Sequence, residues 1–246
     1  TFAPTVSDED LKTGEQYLKG ESDFLPRGVF SVYAPKPWEI LAITFTNKAA
    51  NELKERIALK LGDAADDIWA GTFHSVCGKM LRKYAELIGY TSSFTIYDTD
   101  DQRRLMKDIM KQNNIDEKLV PHKSVLNAIS RAKDSLKSPS DLKAESEGNL
   151  RLQVIADLYK VYQKRLVDAN AMDFDDMIFN TVKLLEGHED VLEYYSNRFK
   201  YIMVDEYQDT NHAQYVLVSL LASKHNNICV VGDDDQSIYR FRGATI

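Results

Sequence analysis

Apolar and polar positions divide this chain into two rhythms. Ile40–Phe45 is almost continuously apolar, as a strand covered on both faces must be. A helix follows from about Lys48, with Ala49, Leu53, Ile57 and Leu61 along one side, Asn47 placed to cap it and Gly62 to stop it. Ile68–Phe73 reads as a second strand. The helix after it carries Val76, Met80, Leu81, Tyr84 and Leu87 and ends at Gly89; Phe94–Ile96 reads as a third strand. From Asp98 to about Ala171 no strand pattern recurs. Thr99 and Gln102 have capping-box spacing ahead of Leu105, Met106, Ile109 and Met110, and Pro121 opens a helix with Val125, Leu126 and Ile129. Residues 137–149 are rich in Ser, Lys and Glu and read as a loop, before a long helix striped by Leu152, Ile155, Tyr159, Tyr162 and Leu166. Strand–helix alternation returns at Met172. The acids of Asp173–Asp176 suit a helix start, where the dipole favours negative charge, and that helix runs to Gly187. Tyr201–Val204 and Val230–Gly232 read as strands on either side of a helix with Tyr215, Leu217, Val218 and Leu221.

The predicted fold class is therefore α/β, with a parallel sheet covered by helices. The sheet core is expected from residues 37–97 and 171–246, and a helical insertion from 98–170. Residues 1–36 stand apart: Ser7 caps a short helix that ends near Gly20, and Val29–Tyr33 is a candidate strand before Pro35 and Pro37 break the chain.

Composition narrows the function classes. At 246 residues, 43% hydrophobic and 28% charged, the chain has enough apolar material for a real core and is otherwise ordinary. No apolar run is long enough to span a bilayer, and the start lacks a basic then apolar secretory pattern, so a cytoplasmic protein is expected. Cys77 and Cys229 both lie in apolar surroundings and are expected to be buried reduced thiols. The histidines have no metal-ligand spacing, so no zinc site is expected. A net charge of −7 argues against a surface coated for nucleic acid, yet leaves room for a groove that stacks unpaired bases.

The chemistry concentrates at strand ends. In Tyr201–Thr210 an apolar strand runs into Asp205-Glu206, an arrangement in which one acid can hold Mg²⁺ and the other orient or deprotonate an attacking water. Taken alone, the pair fits a solvated acidic turn better. Gln236 follows a second strand and could sense a terminal phosphate, or be an ordinary loop amide. Phe45, Phe73, Tyr239 and Phe241 all fall at or just beyond strand ends beside polar residues, where aromatics serve either as core or as platforms for unpaired bases.

Five segments stand in order: Ala42–Ala50, Gly71–Ser75, Asp173–Asp176, Val204–Thr210 and Val231–Ala244. Together they resemble the first motor domain of the UvrD/PcrA/Rep-type superfamily 1 DNA helicases, over roughly Pro37 to Ile246. The resemblance implies a RecA-like P-loop NTPase core with an inserted helical subdomain, ATP and Mg²⁺ as cofactors, and 3′-to-5′ movement on single-stranded DNA. Asp205 would bind the metal, Glu206 would be the catalytic base, and Gln236 would contact the γ-phosphate and couple it to DNA. Thr44, Phe45, Thr46, Asn47 and Lys48, with Thr72, Phe73 and His74, would touch the strand. Phe45, Tyr239 and Phe241 would stack on or pack near bases; many relatives carry Trp where Phe241 stands, which weakens stacking there.

One part of that pattern is missing. The 246 residues contain no G-x-x-x-x-G-K-[ST] phosphate loop, and Gly78-Lys79 is followed by Met80 inside a predicted helix. The family also places a second motor domain, with its arginines, on the other side of the ATP. The expectation is a fragment without ATPase or helicase activity of its own, with Val29–Tyr33 filling the sheet position of the absent phosphate-loop strand. The alternative is a catalytically dead module that binds single-stranded DNA or a partner protein.

Overall fold

The computed structural model describes residues 7–22 and 35–233. The chain divides into two compact units, Thr1–Pro37 and Trp38–Ile246. In the first, α1 (Asp8–Leu18) starts at Ser7, whose hydroxyl accepts from the amide of Asp10 while the Asp10 side chain accepts from the amide of Ser7. The candidate strand Val29–Tyr33 lies outside the described residues.

The second unit is built on a parallel sheet in the order β2–β1–β5–β6: β1 (Ile40–Thr44), β2 (Trp69–Thr72), β5 (Tyr201–Val204) and β6 (Ile228–Val230). β1 is central and buried along four of its five residues, as its unbroken apolar run requires. Leu41 and Ile43, with Ile202 and Val204 of β5, face a large core built on α3 (Phe73–Tyr84), α8 (Phe174–Gly187), α9 (Glu189–Arg198) and α10 (His212–Ala222). On the other face Ala42 and Ala70 pack with Leu53 and Ile57 of α2 (Asn47–Leu61). β5 alternates exposed and buried, and β6 is exposed throughout. Tyr201, Met203, Ile228 and Val230 thus leave an apolar face in contact with solvent.

Phe94–Ile96 was expected to extend this sheet. Instead β3 (Thr95–Tyr97) pairs in parallel with β4 (Ala171–Asp173) in a separate two-stranded sheet. The helical stretch therefore leaves through β3 and returns through β4. Asn170 fastens the junction: its side chain accepts from the Thr91 amide at 2.9 Å and donates to the Thr91 hydroxyl at 2.7 Å. The stretch between holds α4 (Thr99–Gln112), α5 (His122–Asp134), α6 (Pro139–Ala144) and α7 (Leu150–Asp168). A second apolar core lies here, around Met106, Ile109, Val125, Ile129, Tyr159, Tyr162 and Leu166.

Local chemistry moves several expected boundaries. Thr46, not Asn47, caps α2, its hydroxyl accepting from the Ala49 amide at 3.1 Å. Asp98, not Thr99, caps α4, because a carboxylate can take the amides of both Asp100 and Asp101. Phe73 opens α3 rather than ending β2, since Thr72 is already the cap. The expected loop at 137–149 contains α6, started by a reciprocal Ser138–Asp141 capping box. Cys77 is buried as expected, but Cys229 is exposed because it lies on β6. No helix among the described residues is long and apolar enough to cross a membrane.

Candidate nucleotide and nucleic-acid site

The turns that follow the strands build one side of a cleft of about 620 Å³, and α4 and α5 build the other. β1 ends at Thr44, which is buried and donates from its hydroxyl to the carbonyl of Thr46 at 3.2 Å. That bond and the Thr46 cap fix the turn, so Phe45 sits half-buried on the cleft wall while Thr46, Asn47 and Lys48 are exposed. The turn after β2 repeats the device. Thr72 is buried and its hydroxyl accepts from the Ser75 amide at 3.2 Å. Phe73 is buried and meets Phe45 edge-on, the ring centroids 5.7 Å apart. His74 lines the cleft; burial holds its pKa below the usual histidine value against the pull of Asp175, so the ring is neutral at pH 7.

These placements sort the expected DNA-contacting residues. Phe45, Thr46 and His74 face the cleft, and Asn47 and Lys48 are open to solvent beside it. Thr44 and Thr72 are buried hydrogen-bonding residues, and Phe73, which also reaches the cleft lining, is buried edge-on against Phe45. Their geometry is that of supports for the surface. Gln236, Tyr239 and Phe241 lie outside the described residues.

The acid pair stands at the end of β5. The ladder with β1 continues one step beyond the strand, the Asp205 amide donating to the Ile43 carbonyl at 3.0 Å. The chain then turns sharply: Glu206 has φ of 51°, in the left-handed region that few non-glycine residues enter. The Asp205 carboxylate stabilises the turn by accepting from the Glu206 amide at 3.0 Å. Both acids are exposed, and Glu206 lines the cleft. Among the described residues no three His, Cys, Asp or Glu side chains form a metal cage. A single strand-end carboxylate nevertheless suits Mg²⁺, which is usually held by one or two carboxylates together with nucleotide phosphates and water.

Two neighbouring contacts hold the acid loop. Gln208 is buried, and its carbonyl oxygen accepts from the Asp233 amide at 3.1 Å, tying the loop to the chain beyond β6. Gly232 sits against that bond; a Cβ there would lie 2.8 Å from the same oxygen. Asn211 caps α10 through its carbonyl oxygen, leaving its NH₂ to donate to Asp134 of α5 at 2.6 Å. The acid loop is thus bound directly to the far wall of the cleft.

Residue-by-residue reading of the sequence gave no role to Phe174, Asp134 or Lys133. Phe174 is 47% exposed on the cleft, edge-on to His74 at a centroid separation of 5.6 Å. The signal was an apolar residue set among acids at a helix start, where burial does not account for it. Lys133 and Asp134 gave no signal, because their partners lie 40 and 77 residues away.

Comparison with known proteins agrees with these motifs. Residues 31–246 match the family model described as the UvrD/REP helicase N-terminal domain. The chain is 52% identical over 210 residues to the ATP-dependent DNA helicase PcrA of Staphylococcus aureus (strain NCTC 8325 / PS 47), covering 85% of this chain and 29% of that protein. It is 51% identical over 210 residues to the protein of the same name from Bacillus subtilis (strain 168), covering 85% of this chain and 28% of that one. The chain thus spans less than a third of the length of these relatives. By its motifs, its parallel-sheet core and these matches, the chain belongs to the UvrD/REP helicase family and corresponds to its N-terminal domain.

Proposed function

We propose that this chain contributes the acidic half of an ATP site and one stretch of a single-stranded DNA track to an ATP-driven DNA motor. Asp205 holds Mg²⁺ and Glu206 orients or deprotonates the attacking water. Gln236 contacts the terminal phosphate, and Phe45, Thr46, Asn47, Lys48 and His74 meet the strand, with Tyr239 and Phe241 stacking on bases and Thr44, Thr72 and Phe73 as supports. Residues 37–97 and 171–246 form the motor core and 98–170 a helical subdomain, a division supported by the two separate apolar cores. The observation that carries the reading is that Phe45, His74 and Glu206, from three different strand ends, line one cleft. When bound, Mg²⁺ would neutralise charge developing on the phosphates. The exposed apolar face at β5 and β6 supports a further expectation, that a phosphate-loop segment packs there to supply the missing anion cradle.

Two measurements test this. A fluorescent oligonucleotide titrated with the 246-residue chain should bind at low salt and weaken steeply as salt rises. Joined to the phosphate-loop segment of a relative, the chain should gain Mg²⁺-dependent binding of a nucleotide analogue, and Asp205→Asn should weaken that binding. Failure to bind the oligonucleotide at low salt refutes the track. Nucleotide binding indifferent to Asp205→Asn refutes the assignment of the metal site. The second reading, a module that binds DNA without turnover, is favoured by the absence of a phosphate-loop motif from the 246 residues. It predicts oligonucleotide binding with no phosphate release in either form.

A further inference from the structure

A buried charge cluster lies where the two cores meet. Lys133, on α5, is 1% exposed, and its ammonium sits 2.7 Å from Asp173 and 2.8 Å from Asp176. Each carboxylate oxygen has a partner. Asp173 Oδ2 also accepts from the Tyr162 hydroxyl at 3.1 Å, and Asp176 Oδ1 from the Gln163 amide at 2.9 Å. Their remaining oxygens form a reciprocal capping box, Asp173 Oδ1 with the Asp176 amide at 2.8 Å and Asp176 Oδ2 with the Asp173 amide at 3.2 Å. The cluster therefore joins α5 and α7 of the helical stretch to the first turn of α8. Between its two acids that turn carries Phe174, whose ring stands exposed beside His74.

Lys133 belongs to the lining of the cleft. A lysine there invites the reading of a phosphate anchor, yet its charge is enclosed and shared between two acids. We infer that Lys133 is a positioning residue for DNA: it fixes the first turn of α8 and so aims the Phe174 ring into the cleft to stack on an unpaired base. The inference rests on the proposed track. It differs from a direct-contact role in a measurable way. A phosphate contact adds to the salt dependence of binding, whereas a positioning residue acts only through the ring it aims.

The experiment is a double-mutant cycle on the 246-residue chain, reading affinity for an oligonucleotide that carries 2-aminopurine, whose fluorescence is quenched by stacking. Phe174→Ala should weaken binding roughly 5- to 150-fold, the range for one stacked base. Lys133→Met should weaken it at least about fivefold, reduce the quench and leave the salt slope unchanged. In the Phe174→Ala background Lys133→Met should cost less than about twofold. If Lys133→Met does not fold, Tyr162→Phe, which removes only one hydrogen bond to Asp173, replaces it; its smaller loss should likewise vanish once Phe174 is gone. Losses that multiply in the double variants overturn the inference, as does a shallower salt slope in Lys133→Met, or wild-type affinity in Phe174→Ala. Absence of wild-type binding instead overturns the proposed track itself.

Discussion

Replacing Lys133 with Met strands Asp173 and Asp176 in a buried site, and the consequence for stability can be worked out with its sign. Breaking a buried ion pair by removing one partner costs about 3–5 kcal/mol. For a chain of this size that lowers the melting temperature by roughly 6–20 °C. The pH dependence is the sharper test. In the intact protein the Asp176 pKa is pushed up to about 6, first by burial and then by the Asp173 charge, with Lys133 opposing both. The Lys133 pKa is itself raised, since two carboxylates outweigh its burial. Both directions follow from one imbalance: a single ammonium serves two acids, with Asp175 close by. Asp176 thus binds its proton more tightly folded than unfolded, so its contribution to stability grows as pH falls through about 6 and is lost above. Without Lys133 that pKa rises further. The Lys133→Met deficit should be largest near pH 8 and shrink by pH 5.5, as one stranded acid takes up a proton. Thermal unfolding followed by circular dichroism at the two pH values measures this. A deficit below about 1 kcal/mol at pH 8, against the 3–5 expected, would refute the assigned role of the cluster, as would one that does not shrink at pH 5.5.

Three further outcomes follow from the same structure. Gly232→Ala places a Cβ 2.8 Å from the Gln208 carbonyl oxygen and 3.3 Å from its backbone nitrogen. It should cost about 1–3 kcal/mol in urea denaturation, and a loss under roughly 0.5 would show that the chain beyond β6 yields freely. Asn211→Asp keeps the helix cap but sets a carboxylate against Asp134, 2.6 Å from the present NH₂; it should destabilise the fold more than Asn211→Ser, and the reverse order would refute the bridge. Cys229 is exposed, whereas burial pushes the Cys77 thiol up to about 12. A thiol reagent should therefore label one site in the native protein and two only after unfolding.

What could be read in the sequence was whatever repeats locally. β1 announced itself because a strand covered on both faces needs an unbroken apolar run, and α7 because Tyr159, Tyr162 and Leu166 keep helical spacing. The strand-end motifs carried Phe45, His74 and Glu206 to a common cleft because the turn after each parallel strand opens at the same sheet edge. β4 was missed because its three residues are too few to show a period. α6 was missed because six residues in a polar stretch have only their cap to mark them, and α9 because its short apolar pattern rests on Val191 and Tyr195 alone. The acids at the start of α8 were read as partners of the helix dipole. Their bond to Lys133 was invisible, since no spacing rule connects residues 40 apart.

The bare outer face of β5 and β6 has a practical consequence. Among the described residues β6 pairs with β5 alone, and its Ile228 and Val230 stand exposed beside Tyr201 and Met203 of β5; exposed apolar side chains on an outer strand favour contact with a second copy. Preparations of this polypeptide should self-associate as concentration rises, through contacts that light scattering can follow and that a lysine in place of Val230 should suppress.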